Sequence, residues 1–137
     1  ILGPYDIRHA IDHQIVSSVQ RDIFADYARS LFNDSLPKRQ EAIERLRALT
    51  AQSGEVRFAH EFSGDFYLRV GESGKALSDY LVEANHPDAI RARRMAFNVA
   101  VKIEDRALLS KMIRDERYQK EIGQVTLLNG AEITKDR

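Results

Sequence analysis

The chain has 137 residues, of which 43% are hydrophobic and 31% are charged, and this composition predicts one folded, soluble domain rather than a disordered segment. Its 21 basic and 21 acidic residues give a formal net charge of zero, which argues against a nucleic-acid binder and against a polybasic membrane anchor. The chain has no cysteine, so disulfides and thiolate zinc sites are excluded.

No apolar run in the sequence approaches the length that crosses a bilayer. The sequence starts with Ile1 rather than with methionine, so we expect it to be a fragment of a longer protein. We expect the fragment to be a soluble domain with a cytoplasmic location favoured, although the longer protein could itself be a membrane protein.

Apolar residues recur at helical spacing in the first half of the chain. Steps of four residues from Ile7 to Leu31 predict a long helical region over residues 1–34. Within residues 35–56, where Pro37 fits a first helical turn, the next apolar stripe comprises Ala42, Ile43, Leu46 and Leu49. A third stripe comprises Phe58, Phe62 and Phe66, and the segment VGESG then turns the chain.

The second half of the chain continues this pattern, so the fold class is predicted to be all-α. A fourth stripe comprises Ala76, Leu77, Tyr80, Leu81 and Ala84 and ends at the segment NHPD. A fifth comprises Ala89, Ala92, Ala96, Val99, Ala100 and Ile103, and a sixth comprises Leu108, Leu109, Met112 and Ile113. Over residues 118–137, Asn129 and Gly130 could form a hairpin turn, but a capping helix or tail that carries Tyr118, Ile122, Val125 and Leu128 is favoured.

These stripes repeat along the chain with a period near 34 residues. Ala76, Leu77 and Tyr80 each lie 34 residues after an apolar residue of the second stripe. Such a period is typical of helix–turn–helix repeats, in which each helix pair leaves an apolar face that the next pair covers. We therefore divide the single domain, 1–137, into repeat-like units over 35–56 and 57–90 and a degenerate repeat over 88–117.

The stretch SGDFYLRVGESGKALSDYLVEA resembles the tetratricopeptide repeat. Gly64 and Tyr67 lie three residues apart, Gly71 precedes an acidic residue, and Ala76 and Tyr80 lie four residues apart, all at the spacing of that family. The resemblance implies a right-handed array of antiparallel helix pairs, here about three pairs. Positions that depart from the family pattern are His60, Ser63 and Pro87. A plain helical bundle is the alternative architecture.

The five matching residues have expected packing roles. Gly64 and Ala76 are expected to face each other across a helix hairpin, because larger side chains would hold the helices apart. Tyr67 and Tyr80 are expected to fill the space between this helix pair and the next. Gly71 supplies the backbone freedom that ends the first helix of the pair.

The sequence offers little catalytic chemistry. His9 and His13 lie four residues apart, a spacing at which two imidazoles can share a metal, but no third ligand is evident near them. The segment RVGESGKAL has the wrong spacing for a phosphate-binding loop, and no serine has the sequence context of a hydrolase nucleophile. We therefore expect no enzymatic activity, no cofactor and no metal.

Charge is distributed unevenly along the chain. Residues 55–87 contain six acidic and three basic residues, a net of −3, whereas residues 88–117 contain eight basic and five acidic residues, a net of +3. The resemblance places the first helix of each pair on the inner surface of the array. It therefore implies a partner-binding groove whose residues would be Glu61, Asp65, Arg69, Arg93, Arg94 and Phe97. A solvated charged face is the plainer interpretation.

The predicted function is that of a protein–protein interaction or assembly module. Its partner would be a protein or peptide, and the basic residues would favour an acidic one. The alternative is a nucleic-acid-associated regulatory domain that uses the cluster Arg91–Arg94, although zero net charge argues against nucleic acid as a partner. Self-association through an uncapped end of the array is a third prediction.

Overall fold

A computed structural model describes residues 36–51 and 56–135 of the chain. The predicted helical region over residues 1–34 and the pair His9 and His13 lie outside these residues. Every regular element in the described part of the chain is an α-helix, which confirms the predicted all-α class.

Seven helices follow one another in the described residues. They are α1 (Leu36–Thr50), α2 (Ala59–Arg69), α3 (Ser73–Glu83), α4 (Ile90–Lys102), α5 (Arg106–Arg114), α6 (Glu116–Glu121) and α7 (Gln124–Thr134). None of them is both long and apolar enough to span a membrane.

Two helices end in the same way. Gly71 follows α2 with a φ of 84°, and Glu104 follows α4 with a φ of 56°. In each case the backbone N–H of the following residue donates a hydrogen bond to the carbonyl oxygen five residues earlier. Glu72 N donates to Tyr67 O at 2.8 Å, and Asp105 N donates to Ala100 O at 3.0 Å. This is the left-handed ending that glycine adopts most easily, as predicted for Gly71.

Aspartates begin two of the later helices. The carboxylate of Asp105 accepts a hydrogen bond from Leu108 N at 3.2 Å, and that of Asp115 accepts one from Arg117 N at 2.9 Å. These bonds satisfy amides that have no partner within the first helical turn.

The predicted apolar stripes form much of the core. Ala42, Leu46 and Leu49 of α1 are buried, and a larger cluster joins residues of α3, α4, α5 and the α6–α7 region. Its buried members are Ala76, Leu77, Tyr80, Ala96, Phe97, Val99, Ala100, Leu109, Met112, Tyr118 and Ile122. Ile103, predicted on the α4 stripe, is instead exposed where that helix ends.

The last part of the chain is helical through Asn129 and Gly130, as favoured over a hairpin turn. The single helix predicted to carry Tyr118, Ile122 and Leu128 is wrong, however, because Gly123 separates α6 from α7. Gly123 and Ile122 both have extended backbone, with ψ values of 145° and 136°.

Helix contacts follow chain order only as far as α4. Helices α2 and α3 share the most extensive contact, and α3 then packs against α4. Helix α5 contacts α7 more extensively than it contacts α4. The two helices of the third predicted unit are therefore less closely paired than α2 and α3.

Candidate functional site

Most of the predicted groove residues lie in the interior. Glu61 is 3% exposed, Asp65 4%, and Arg93 and Phe97 are both fully buried. Their burial means that a partner cannot contact these four side chains in this conformation, so the predicted groove is wrong at these positions. Of the predicted set, Arg69 and Arg94 are exposed.

Arg91 joins the start of α4 to α2. Its Nη1 donates to Asp65 Oδ2 at 3.0 Å, and its Nη2 donates to Asp65 Oδ1 at 3.1 Å. The same Nη1 lies 3.5 Å from Glu61 Oε2. Tyr80 of α3 also donates its hydroxyl proton to Asp65 Oδ1. Three helices therefore meet at one buried carboxylate.

Arg57 makes a second set of ion pairs just before α2 begins. Its Nη1 donates to the buried carboxylate of Glu83, and its Nη2 donates to Asp88 Oδ1 at 2.9 Å. The Arg57 guanidinium also lies over the ring of Phe58, 4.2 Å from its centroid. This residue thereby connects the start of α2 to the end of α3 and to the loop before α4.

Burial perturbs the acids at this junction. The pKa of Glu61 is raised to about 7, chiefly because burial disfavours its charged form, while Arg91 opposes the shift. The pKa of Asp65 is also raised by burial, again opposed by Arg91. Burial and the adjacent Asp65 raise the pKa of the Tyr80 hydroxyl, which therefore stays protonated.

His60, Ser63 and Asp79 form a smaller polar cluster between α2 and α3. Ser63 Oγ donates to Asp79 Oδ2 at 2.8 Å, and His60 Nδ1 lies 2.9 Å from Asp79 Oδ1. The aspartate thus contacts both other residues, and the serine hydroxyl is directed at Asp79 rather than at the imidazole. This differs from a nucleophilic triad, in which the histidine takes the serine proton.

Arg93 holds the end of α3, α4 and α6 together. Its Nη1 donates to Ala84 O at 3.0 Å and to His86 O at 2.8 Å, and its Nη2 donates to Pro87 O at 2.9 Å. Its Nε and Nη2 donate to the two carboxylate oxygens of Glu121 at 2.5 and 2.6 Å. All the donor nitrogens are used, so Arg93 is a structural residue.

Of the residues that carry the family resemblance, Gly64 lies directly against Tyr80. A Cβ added to Gly64 would lie 2.8 Å from Cε1 of the Tyr80 ring, so the glycine permits the close approach of α2 and α3. Ala76 and Tyr80 are fully buried, whereas Tyr67 is half-buried with the guanidinium of Arg47 5.8 Å from its ring centroid.

Acidic and basic residues are sorted between interior and surface. Glu61, Asp65 and Glu83 account for half of the acidic residues in the −3 region, and all three are buried. The exposed basic residues of residues 88–121 are Arg94, Lys102, Arg106, Lys111, Arg114, Arg117 and Lys120. The exposed acidic residues of the same range are Asp88, Glu104 and Glu116.

Helices α4 and α5 contain no acidic residue. On α4 the exposed side chains recur every four residues at Ile90, Arg94, Asn98 and Lys102, which places them along one face. On α5 the exposed side chains are Arg106, Ala107, Lys111 and Arg114. We use "basic surface" for Arg94, Lys102, Arg106, Lys111 and Arg114.

Sequence reasoning missed the partners of the buried acids. Arg57 was not singled out, and Arg91 was assigned to a nucleic-acid surface. A signal for Glu83 was present, because it lies three residues after Tyr80 and seven after Ala76, on the buried stripe of α3. A carboxylate at such a position requires an interior partner.

In the part of the chain that the structure describes, no group of three or more His, Asp or Glu side chains could hold a metal ion. The chain has no significant match to a protein-family model, to a curated protein or to a solved structure.

Proposed function

We propose that this chain is a non-catalytic protein-binding module that captures an acidic protein segment on its basic surface. The observation that carries the proposal is the sorting of charge described above. Glu61, Asp65 and Glu83 of α2 and α3 are buried, whereas the basic surface of α4 and α5 is exposed. The described surface of α4 and α5 is therefore cationic although the whole chain is neutral.

The proposal includes an array of antiparallel helix pairs similar to tetratricopeptide repeats. Two features support this arrangement. The left-handed residues that follow α2 and α4, Gly71 and Glu104, lie 33 residues apart, close to the repeat period. Gly64 also allows the close approach of α2 and α3. A helical bundle is the alternative arrangement, and the more extensive contact of α5 with α7 than with α4 favours it for the last helices.

A protein partner fits this surface better than nucleic acid does. Within the cluster Arg91–Arg94, Arg91 is bound to Asp65 and Arg93 is fully buried. The aromatic side chains of α4 and α6, Phe97 and Tyr118, are also buried, so they are not platforms on which bases could stack. Ile90 and Ile103 are exposed at the two ends of α4 and would offer aliphatic contacts to a peptide.

Fluorescence anisotropy with a short labelled peptide of alternating glutamate and leucine tests the proposal. The matched variants each remove two exposed positive charges: Lys111→Gln with Arg114→Gln on the basic surface, and Arg69→Gln with Lys75→Gln outside it. The double variant on the basic surface should weaken peptide binding about fivefold, because each exposed charge pair contributes about 0.2–1 kcal/mol. The double variant outside the basic surface should leave peptide binding unchanged.

Three results would count against the proposal. Equal losses in both double variants would show non-specific attraction, and undetectable peptide binding by the parent chain would remove the basic surface as a docking site. Tighter binding of single-stranded DNA than of the peptide, with a steep salt dependence, would favour the nucleic-acid alternative. Sedimentation of the parent chain alone separates self-association from peptide capture.

A further inference from the structure

Among the residues that the structure describes, the junction of α2, α3 and α4 contains three buried acids and two arginines that pair with them. Its carboxylates are Glu61 and Asp65 of α2 and Glu83 of α3, and its guanidinium groups are those of Arg57 and Arg91. If every group were ionised, one negative charge in the interior would have no arginine of its own. Such a charge is costly, and a buried carboxylic acid avoids the cost by keeping its proton.

The geometry identifies which acid lacks its own arginine. Asp65 accepts hydrogen bonds from both terminal nitrogens of Arg91 and from the Tyr80 hydroxyl. Glu83 receives Arg57 Nη1 on one oxygen, and its other oxygen lies 3.4 Å from the backbone nitrogen of Glu61. The Glu61 carboxylate lies 3.5 Å from Arg91 Nη1, a nitrogen that is closer to Asp65.

We infer that this junction responds to protons near neutral pH, with Glu61 protonated in the closely packed form and ionised in a form whose attachment of α4 to α2 is weaker. On ionisation the Glu61 carboxyl group releases its proton to solvent. The resulting carboxylate then competes with Asp65 for the guanidinium of Arg91. Because Arg91 lies in the first turn of α4, this competition acts on the helix that carries Arg94 and Lys102.

The direction of the pKa shift of Glu61, upward through burial, agrees with this geometry. Within the described part of the chain, charged groups that act on Glu61 include Arg91, Asp65, Glu83 and Arg57. His86 and His60 lie at the margin of the junction, with His86 Nε2 3.8 Å from Glu83 and His60 paired with Asp79. On α1, which packs against α2, the described charged residues Glu41, Glu44, Arg45 and Arg47 are exposed.

Thermal unfolding of the whole 137-residue chain between about pH 5 and about pH 8.5 tests the inference. The parent melting temperature should fall as the pH rises from about 5 to about 7 and should level off above that. Glu61→Gln, which keeps the shape of the protonated acid, should flatten that fall. Glu72→Gln is the matched control, because Glu72 is exposed and pairs with Lys75, and it should keep the parental slope.

Histidines are the rival source of a response near neutral pH. His60→Asn and His86→Asn should therefore each retain the fall in melting temperature. The inference is overturned if Glu61→Gln keeps the parental slope, or if the slope disappears in a histidine variant instead.

The protonation of Glu61 can also be measured in the unmodified chain, which does not depend on the folding of Glu61→Gln. Carbon-13 labelling of glutamate side-chain carboxyl groups should show a resonance that titrates near neutral pH, well above the ordinary glutamate pKa of about 4.3. Hydrogen exchange, corrected for its intrinsic pH dependence, should show faster opening of the first turns of α4 at the higher pH. Titration of every glutamate below about pH 5.5 would contradict the inference.

Discussion

Arg91 and Asp65 form a two-point ion pair between α4 and α2, with nitrogen–oxygen distances of 3.0 and 3.1 Å. The side chain of Asp65 is 3% exposed and that of Arg91 is 28% exposed. The pair thus reaches from the interior to the surface, and it connects α2, which carries the buried Glu61 and Asp65, to α4, where the basic surface begins.

Replacement of Arg91 by alanine should lower the free energy of unfolding by about 3 kcal/mol, because Asp65 would remain buried without its guanidinium partner. Arg91→Lys should recover part of this loss, since lysine keeps the charge but not the two-point geometry. Urea unfolding at neutral pH measures both effects. If alanine and lysine were equally harmful, geometry and not charge would be the important property; no loss with alanine would refute the role of the pair.

Arg93 and Arg94 are adjacent in the sequence and should respond differently to the same substitution. Arg93→Ala should cost at least about 3 kcal/mol, because it leaves Glu121 and the carbonyl oxygens at the end of α3 without their donors. Arg94 is exposed and donates its Nε proton to Glu121 O at 2.8 Å, so Arg94→Ala should cost less than about 1.5 kcal/mol. Similar losses in the two variants, measured by chemical denaturation, would contradict the assigned burial of Arg93.

Two glycines provide a matched test of the close approach of α2 and α3. Gly64→Ala places a Cβ 2.8 Å from the Tyr80 ring and should cost about 1–3 kcal/mol through overpacking. Gly74→Ala in α3 meets nothing within 4 Å and should instead add up to about 1 kcal/mol, as alanine favours the helix. Thermal melts of the two variants should therefore shift in opposite directions. A neutral Gly64→Ala variant would show that Tyr80 can move away freely.

The left-handed residue after α4 offers a stabilising change. Glu104 has a φ of 56° and occupies the same position after α4 that Gly71 occupies after α2. Glu104→Gly should raise the melting temperature, with a gain of about 1 kcal/mol from relieved backbone strain. The control is Glu116→Gly in the first turn of α6, which should be destabilising because glycine is a poor helix former. A loss of stability in Glu104→Gly would show that the glutamate side chain contributes more than its backbone strain costs.

The pH dependence of stability follows from the raised pKa of Glu61. The folded chain holds this proton up to about pH 7, whereas an unfolded glutamate releases it near pH 4.5. The free energy of unfolding should therefore fall by about 3 kcal/mol as the pH rises through this window, and level off above it. Urea titrations at the two ends of the window measure the difference. Because buried charges are screened weakly by salt, most of this pH-dependent difference in the free energy of unfolding should persist in high potassium chloride. Loss of the difference in salt would indicate that surface charges cause it.

The amino-acid sequence by itself determined where most of the helices lie. Apolar residues at steps of three and four predicted the buried faces of α1, α3 and α4, because a residue's position on a helix depends only on local geometry. Gly71 predicted the end of α2 for the same local reason. Gly123 was not recognised as a break, since a glycine inside an apolar pattern can also be tolerated within a helix.

Only the tertiary structure decided the environment of each charged residue. Arg93 and Arg94 are equally polar neighbours, yet one is fully buried and the other exposed, because the acid that compensates Arg93 comes from α6, 28 residues later. Asp65 likewise depends on Arg91, 26 residues away. The cost of burying a charge depends on partners that distant segments supply, and helical periodicity contains no information about which of them will meet.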